Sequence, residues 1–462
     1  MEVTMIDDSK IEQLENSLLG RVVRPNDSDY DEVRTLYNAM IDKRPAVIVE
    51  CATVADVITA VKFGREQELD TAIRGGGHNG AGLALVDDGM VIDLSNMKGI
   101  RVDPDAKTVR VEPGCRWKEV DHTTNAFGLA TVSGIIANTG VSGLTLGGGH
   151  GYLTRQYGLT VDNLLSADVV LADGSLIHAS ESENQDLFWA LRGGGGNFGV
   201  VTSLEFQLHP VDTIIGGPFF WPIEQLETGL RWYRDWLPNA PKEMNAFFMT
   251  GEIPPAPIFP ENIHGRKICG MITCYNGPRD KMNELIQPAR DIAEPLFEYI
   301  EAMPYPFIQS LMDDIAVPGL QWYWKGDFFS ELTDKAISEH VRFAEVPTPL
   351  SQMHLYPVDG AAQKAEDGET AWNHRDATWS MVIVGVDPDP ANKDKITNWA
   401  QNYWQALHPH SKGAAYVNFM MEEGEDRIKA TYGENYERLR KVKAKYDPDN
   451  FFHVNQNIKP KA

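Results

Sequence analysis

At 462 residues the chain is too long for one ordinary hydrophobic core, and two or three domains are expected. With 42% hydrophobic, 10% aromatic and 23% charged residues it reads as a globular protein, and its net charge of −24 argues against nucleic acid and anionic membranes as partners. Four scattered cysteines (Cys51, Cys115, Cys269, Cys274) make no disulfide framework, and the spacing of the last two is not that of a zinc knuckle. Packed, reduced thiols are the expectation. The first twenty residues lack a basic n-region and a long apolar core, and no apolar run reaches membrane-spanning length, so a cytoplasmic setting is expected.

In chain order, Thr53 and Asp56 have the spacing of a capping box, and Val57, Ile58 and Val61 fall on one face of the helix that follows. "TAIR", "MVIDLS" and "TVRVEPG" read as strands. In "SADVVLADGSLIHAS" the pair Asp173-Gly174 sits between two apolar runs, which predicts a hairpin with a type I′ turn. "ENQDLFWALRGG" predicts a short helix stopped by glycine. Beyond Pro210 glycine thins. Amphipathic helices are expected in "RDKMNELIQPARDIAEPLFEYIEAM", "LTDKAISEHVRFAEV" and "ANKDKITNWAQNYWQALH", with strands "AFFMTGEI", "KICGMITCYN" and "WSMVIVGVD" between them. That alternation suits a sheet covered by helices, hence a second domain. "AAQKAEDGETAWNHRD" reads as a polar surface loop, and the chain closes with a helix, a Pro-Asp stop and an extended tail.

Three glycine clusters stand out: 75–82 in "RGGGHNGAG", 147–151 in "LGGGHGYL" and 193–199 in "RGGGGNFG". The first and third fit the letters of a dinucleotide fingerprint, but that device needs a strand, a tight turn and then a helix. Neither match runs into a helix, and no glycine run precedes Lys-Ser or Lys-Thr, so Rossmann and P-loop readings fail. Three such loops in the first half suggest one extended ligand approached by bare main chain, whose N–H groups bind phosphates without lysine.

"IRGGGHN", "GVSGLTLGGGHGYLTRQYGLTVDN", "LFWALRGGGGNFGVVT" and "YDPDNFFHVNQNI" together resemble the FAD-linked oxidases of the vanillyl-alcohol oxidase (PCMH-type) fold, in the berberine bridge enzyme-like branch with its bacterial members. The resemblance implies an α+β protein. A PCMH-type FAD domain would span 1–212 (core about 41–211), and a substrate domain 213–412 would carry an antiparallel sheet covered by helices. Residues 413–462 would return to the FAD domain. It implies FAD contacts from Arg74, Gly75, Gly76, Gly77, His78, Asn79 and Gly80. A second group would be Gly140, Gly143, Leu146, Gly147, Gly148, Gly149, Gly151 and Tyr152. Asp162 and Asn163, then Gly199, Val200 and Val201, and finally Asn455 and Asn457 would complete the site. It further implies that His78 bonds covalently to the flavin 8α-methyl carbon. A neutral imidazole is a competent nucleophile for that bond. The place of a second, cysteinyl attachment seen in relatives falls at or near Ile136, so a single link is expected.

The family chemistry is hydride transfer to the flavin from an alcohol, amine or hydroxylated ring, with a base taking the O–H or N–H proton and O₂ reoxidising the flavin to give hydrogen peroxide. In "AAYVNFMMEEG" the second tyrosine of a pattern common in plant members is Phe419, which leaves Tyr416, with Asn418, as the first candidate base. A phenol near pKa ~10 needs a cation to ionise at neutral pH, and Lys325 or Arg375 is the expected source. Of Trp322, Tyr323 and Trp324 only alternate members can share a strand face. His150 and His374 are further acid–base candidates. Three alternatives stand beside this reading: a dehydrogenase using another acceptor, a non-catalytic FAD or nucleotide binder, for which Phe419 is the support, and a metal site at His78 and His150. No metal is expected on the leading reading, and the partners are a small-molecule substrate and O₂.

Overall fold

The structure is a computed structural model that describes residues 6–366 and 368–461. Its first sheet sets Val47–Glu50, Met90–Asp93 and Thr71–Arg74 parallel, with Arg21–Val23 antiparallel at the edge. Helix Val54–Glu66 covers it. Its start is the expected capping box: the Thr53 side chain accepts the Asp56 N–H and the Asp56 carboxylate accepts the Thr53 N–H. The second sheet, antiparallel, runs Ile100–Asp103, Thr108–Val111, Val200–Gln207, Leu164–Val170 and Leu176–Ser180. Val57, Val61 and Ile92 from the first layer pack with Val170 and Val200 from the second, and Phe452 of the C-terminal tail completes that cluster.

The hairpin at Asp173-Gly174 forms, but not with a type I′ turn. Only Gly174 has positive φ (80°); its N–H donates to Leu171 O, and the Leu171 N–H donates to Ser175 O. Asp173 stays on the ordinary side, so a single left-handed glycine closes the loop.

The third sheet contains Thr213–Pro222, Lys267–Tyr275, Met244–Glu252, Gln352–Pro357, Trp379–Asp387 and Gln321–Phe329 in that spatial order, every pair antiparallel. Helices Leu226–Trp236, Asp334–Arg342 and Lys393–Leu407 pack Leu230, Tyr233, Ile337 and Tyr403 against Met353, Leu355 and Met381 on one face. The opposite face, with Phe247, Tyr356 and Val382, packs on Val132, Ile135 and Tyr152 from the first half of the chain. The mixed α+β architecture with its helix-covered antiparallel sheet is the one expected.

One expected helix is cut short. In "RDKMNELIQPARDIAEPLFEYIEAM" only Met282–Arg290 is α-helical, after a 3-10 turn at Arg279–Lys281; Phe297–Glu298 and Glu301–Pro304 are strands paired to Thr213–Pro222. Pro295 biases Glu294 away from helical backbone, and the apolar residues beyond it find an open sheet edge. The polar stretch after Ala361 is also less exposed than its composition suggests, since Thr370, Ala371, Trp372 and Arg375 are buried. Its Asp367 lies outside the described residues.

Candidate functional site

One cavity of about 340 Å³ lies where the glycine loops meet the third sheet. The loop 75–80 starts as strand Thr71–Arg74 ends, and Arg74 is held there by a buried ion pair with Asp93 (2.5 Å) and a hydrogen bond to Val33 O. Gly75, Gly76 and Gly77 line the cavity, as do Gly140 and Gly143 of the facing segment. No main-chain N–H from residues 75 to 80 donates to another group among the described residues. Bare, unpaired donors on a side-chain-free wall suit an anionic diphosphate.

His78 ends this wall. Its ring stacks on Tyr37 (centroids 3.8 Å apart, planes at 21°), and its buried Nε2 has no hydrogen-bond partner. Burial, reinforced by the Arg116 charge, pushes its pKa down to about 4, so the imidazole is neutral. A neutral ring with an unpartnered nitrogen is the state in which histidine can form a bond to carbon. Among the described residues, no group of three or more His, Cys, Asp or Glu side chains gathers as a metal would require. The four cysteines are buried and none of them lines the cavity, whereas Ile136 does.

The far wall belongs to the third sheet: Trp322 and Trp324, then Gln352, His354 and Tyr356, then Val382, Val384 and Val386, each set spaced by two. Tyr323 points into the helix-covered core instead. Asn38 ties the two halves of the site together. Its Nδ2 donates to Gly80 O (2.7 Å) and Trp322 O (2.9 Å), and its Oδ1 accepts the Trp322 N–H. Among the described residues, no Asp, Glu, Lys or Arg side chain lines the cavity. Its histidines add no charge, because burial holds His150 and His354 at about 3.

Several expected residues sit behind the cavity rather than on it. Gly147, Gly148, Gly149 and Gly151 do not line it. Gly148 abuts Trp372 and Gly149 abuts Thr160, and the Gly149 N–H donates to Tyr416 Oη (2.9 Å). Tyr152 is core; Val200 packs between the first two sheets. Arg74, Gly80, Asp162, Asn163 and Asn457 are likewise absent from the lining, whereas Asn79, Leu146, Gly199, Val201 and Asn455 belong to it. Asp162 instead takes two hydrogen bonds from Arg375 (2.6 and 2.7 Å), and Asn163 ties down Tyr157 O and Leu159 O.

Tyr416 and Asn418 do line the cavity, with Asn418 Nδ2 donating to Tyr416 Oη at 2.7 Å. The cation expected beside them is missing. Arg375 is committed to Asp162, and Lys325 pairs with Glu423 (2.8 Å) over the Trp404 ring; neither lines the cavity. Burial pushes the Tyr416 phenol up, and the hydrogen bonds from Asn418 and the Gly149 N–H only partly oppose it. His374 is also elsewhere, bonded to Ala430 O. The residues overlooked in sequence are Tyr37, Asn38 and the set Gln352, His354 and Tyr356. For the last set a signal existed: polar side chains alternating with Met353 and Leu355 in a short apolar run.

The C-terminal tail closes the site beside the third glycine cluster. Asn197 Nδ2 donates to Gln456 O and its Oδ1 accepts the Ile458 N–H, which brings Asn455 and Gln456 to the cavity.

Known proteins agree with this geometry. The FAD binding domain family matches residues 45–180, and the berberine and berberine-like family matches 415–459. An uncharacterized FAD-linked oxidoreductase of Bacillus subtilis (strain 168) is 33% identical, covering 96% of this chain and 97% of its own. (R)-6-hydroxynicotine oxidase of Paenarthrobacter nicotinovorans is 29% identical over 96% and 98%. The crystal structure of 6-hydroxy-D-nicotine oxidase from Arthrobacter nicotinovorans superposes with a TM-score of 0.86 at 26% identity, covering 96% of this chain and 99% of that one. The chain belongs to the berberine bridge enzyme-like family of FAD-linked oxidoreductases.

Proposed function

We propose that this enzyme oxidises an uncharged, largely apolar alcohol or hydroxylated ring, using FAD attached covalently through His78 and O₂ as the final acceptor. The observation that carries the reading is the pairing of one neutral, unpartnered imidazole with a cavity free of formal charge. A carboxylate or ammonium substrate would lose its hydration there with no partner of opposite sign. Trp322, Trp324, Val382 and Val384 give an apolar ring or chain its contact surface, while Gln352, His354, Tyr356, Tyr416 and Asn418 supply the polar groups that orient a hydroxyl. The main chain of residues 75–79, facing Gly140 and Gly143, would hold the FAD diphosphate, and His78 would hold the ring edge. Bound there, FAD supplies the hydride acceptor.

The test is anaerobic. Purified holoenzyme is mixed with uncharged alcohols (benzyl alcohol, cinnamyl alcohol, geraniol) and with charged analogues such as 4-carboxybenzyl alcohol, and loss of the flavin absorbance is followed. Bleaching by the uncharged set, followed on aeration by recovery of colour and stoichiometric hydrogen peroxide, is expected. Bleaching by the charged analogues alone would overturn the substrate class, and slow recovery in air without peroxide would overturn O₂ as acceptor. Yellow fluorescence that migrates with the polypeptide on a denaturing gel is expected from the covalent link.

A further inference from the structure

We propose that the proton acceptor of the oxidation is Tyr356, which becomes a base by passing its own proton to His354. The inference rests on the function proposed above.

Gln352–Pro357 is a central strand, paired on both sides, so its side chains alternate strictly between faces. Met353 and Leu355 enter the helix-covered core, whereas Gln352, His354 and Tyr356 point to the cavity and line it. All three are buried. Gln352 Oε1 lies 2.7 Å from His354 Nε2, and His354 Nδ1 lies 2.5 Å from Tyr356 Oη.

The direction of the hydrogen bonds follows from the atoms involved. An amide oxygen only accepts, so Nε2 carries the imidazole hydrogen. In a neutral ring Nδ1 then holds the lone pair, and the Tyr356 O–H must donate to it. The Tyr356 oxygen has no other hydrogen-bond partner among the described residues, and its lone pairs are available to a substrate hydroxyl in the cavity. Tyr416 is placed differently. Its oxygen accepts from the Gly149 N–H and from Asn418 Nδ2, and no basic atom takes its hydrogen. Among the described residues, Tyr416 therefore has neither a neighbouring base to take its proton nor a cation on the cavity wall to favour its ionised form.

In the oxidation the substrate O–H bond breaks and its proton goes to Tyr356 Oη, while the Tyr356 proton moves to His354 Nδ1. Bound FAD would supply the two-electron acceptor for the hydride that the substrate carbon gives up as its carbon–oxygen bond becomes a carbonyl. Burial keeps His354 neutral at rest, so the imidazolium exists only while the hydride leaves, with its Nε2–H accepted by Gln352. His354 is the positioning residue and the reservoir; Tyr356 touches the substrate.

The test measures anaerobic flavin reduction by cinnamyl alcohol in holoenzyme variants, read as a limiting rate and a half-saturating concentration. Tyr356→Phe keeps the ring and removes only the hydroxyl. It is expected to lower the limiting rate by about 100-fold or more, the lower end of general-base contributions, with half-saturation within about threefold of wild type. His354→Ala is expected to lower the limiting rate similarly and to recover part of it when imidazole is added, which a packing defect would not. A loss below about tenfold in Tyr356→Phe, too small for a general base, overturns the proposal, as does a loss confined to half-saturation. If Tyr416→Phe abolishes reduction and Tyr356→Phe does not, the base is Tyr416 and the relay is wrong. Should His354→Ala fail to fold, Tyr356→Phe still decides. If no uncharged alcohol bleaches the wild-type enzyme, the proposed function falls and takes the relay with it, an outcome told apart by the failure of the wild type itself.

Discussion

Gly76 and Gly140 meet main chain to main chain: a Cβ on Gly76 would stand 2.4 Å from the Gly140 Cα, and one on Gly140 would stand 2.6 Å from the Gly76 Cα. Neither contact involves a flexible side chain that could move aside. The glycines here allow close approach, and the two loops that line the proposed diphosphate wall are locked together through them. Gly76→Ala or Gly140→Ala must spread those loops. Each is expected to cost about 1–3 kcal/mol of stability and to reduce the flavin-to-protein ratio of the purified enzyme severalfold. Absorbance ratios and thermal unfolding measure both, and an alanine variant with full flavin content would refute the cradle.

His78→Ala separates attachment from binding. Removing the imidazole leaves the glycine wall intact, so FAD is expected to bind without a covalent link and to pass into the supernatant when the protein is denatured with acid. The flavin reduction potential of that variant is expected to fall, because an electron-withdrawing nitrogen no longer sits at the ring edge. Flavin that stays with the precipitated variant would contradict the attachment.

Lys443 is fully buried, with its Nζ donating to Asp447 (2.6 Å), Asn197 O (2.6 Å) and Phe452 O (2.9 Å). One ammonium thereby fastens the C-terminal helix, the tail and the third glycine loop. Lys443→Met leaves Asp447 buried and unpaired, which costs about 3–5 kcal/mol. Urea unfolding is expected to show that loss, and proteolysis of the native variant is expected to begin in the tail after Asp447. A drop within about 0.5 kcal/mol, the size of an ordinary surface substitution, would mean that the tail is held by other contacts.

Asp121 is buried with its Oδ1 unpartnered and its Oδ2 accepting from Gln309, and burial raises its pKa to about 7. Its unfolded value is about 3.9. The folded chain therefore keeps a proton that the unfolded chain has lost. The associated stability is present below pH ~4 and is lost as pH rises to about 7, at about 1.4 kcal/mol for each pH unit in between. Asp121→Asn removes this slope. The variant is expected to melt higher than wild type at pH 8, with the advantage shrinking toward pH 5. An equal difference at both pH values would show that Asp121 does not titrate in this range.

Local rules were legible where they were decided locally. The capping box at Thr53 and Asp56 is a contact across three residues, and the helix Val54–Glu66 follows from it. The same holds for the alternation that sends Trp322 and Trp324 one way and Tyr323 the other. Where a distant partner competed, local reading failed. Residues 297–304 have a helical pattern but pair with the open edge of Thr213–Pro222. Arg375 and Lys325 have the charge to assist Tyr416, yet Asp162 and Glu423 occupy them. Charge is written in the sequence; the partner a charge finds in a distant part of the chain is not.

Taken alone, the sequence located two of the stretches that give the cavity its bare main chain, the glycine clusters at 75–82 and 193–199, because only glycine leaves the main chain without a side chain. It also determined the family, through motifs spread from one end of the chain to the other. Tertiary structure alone decided which of those glycines face the cavity, that its walls carry no formal charge, and that Gln352, His354 and Tyr356 stand in a hydrogen-bonded row beside it. Those outcomes depend on how three sheets pack, and packing is a sum over contacts between residues far apart in the chain.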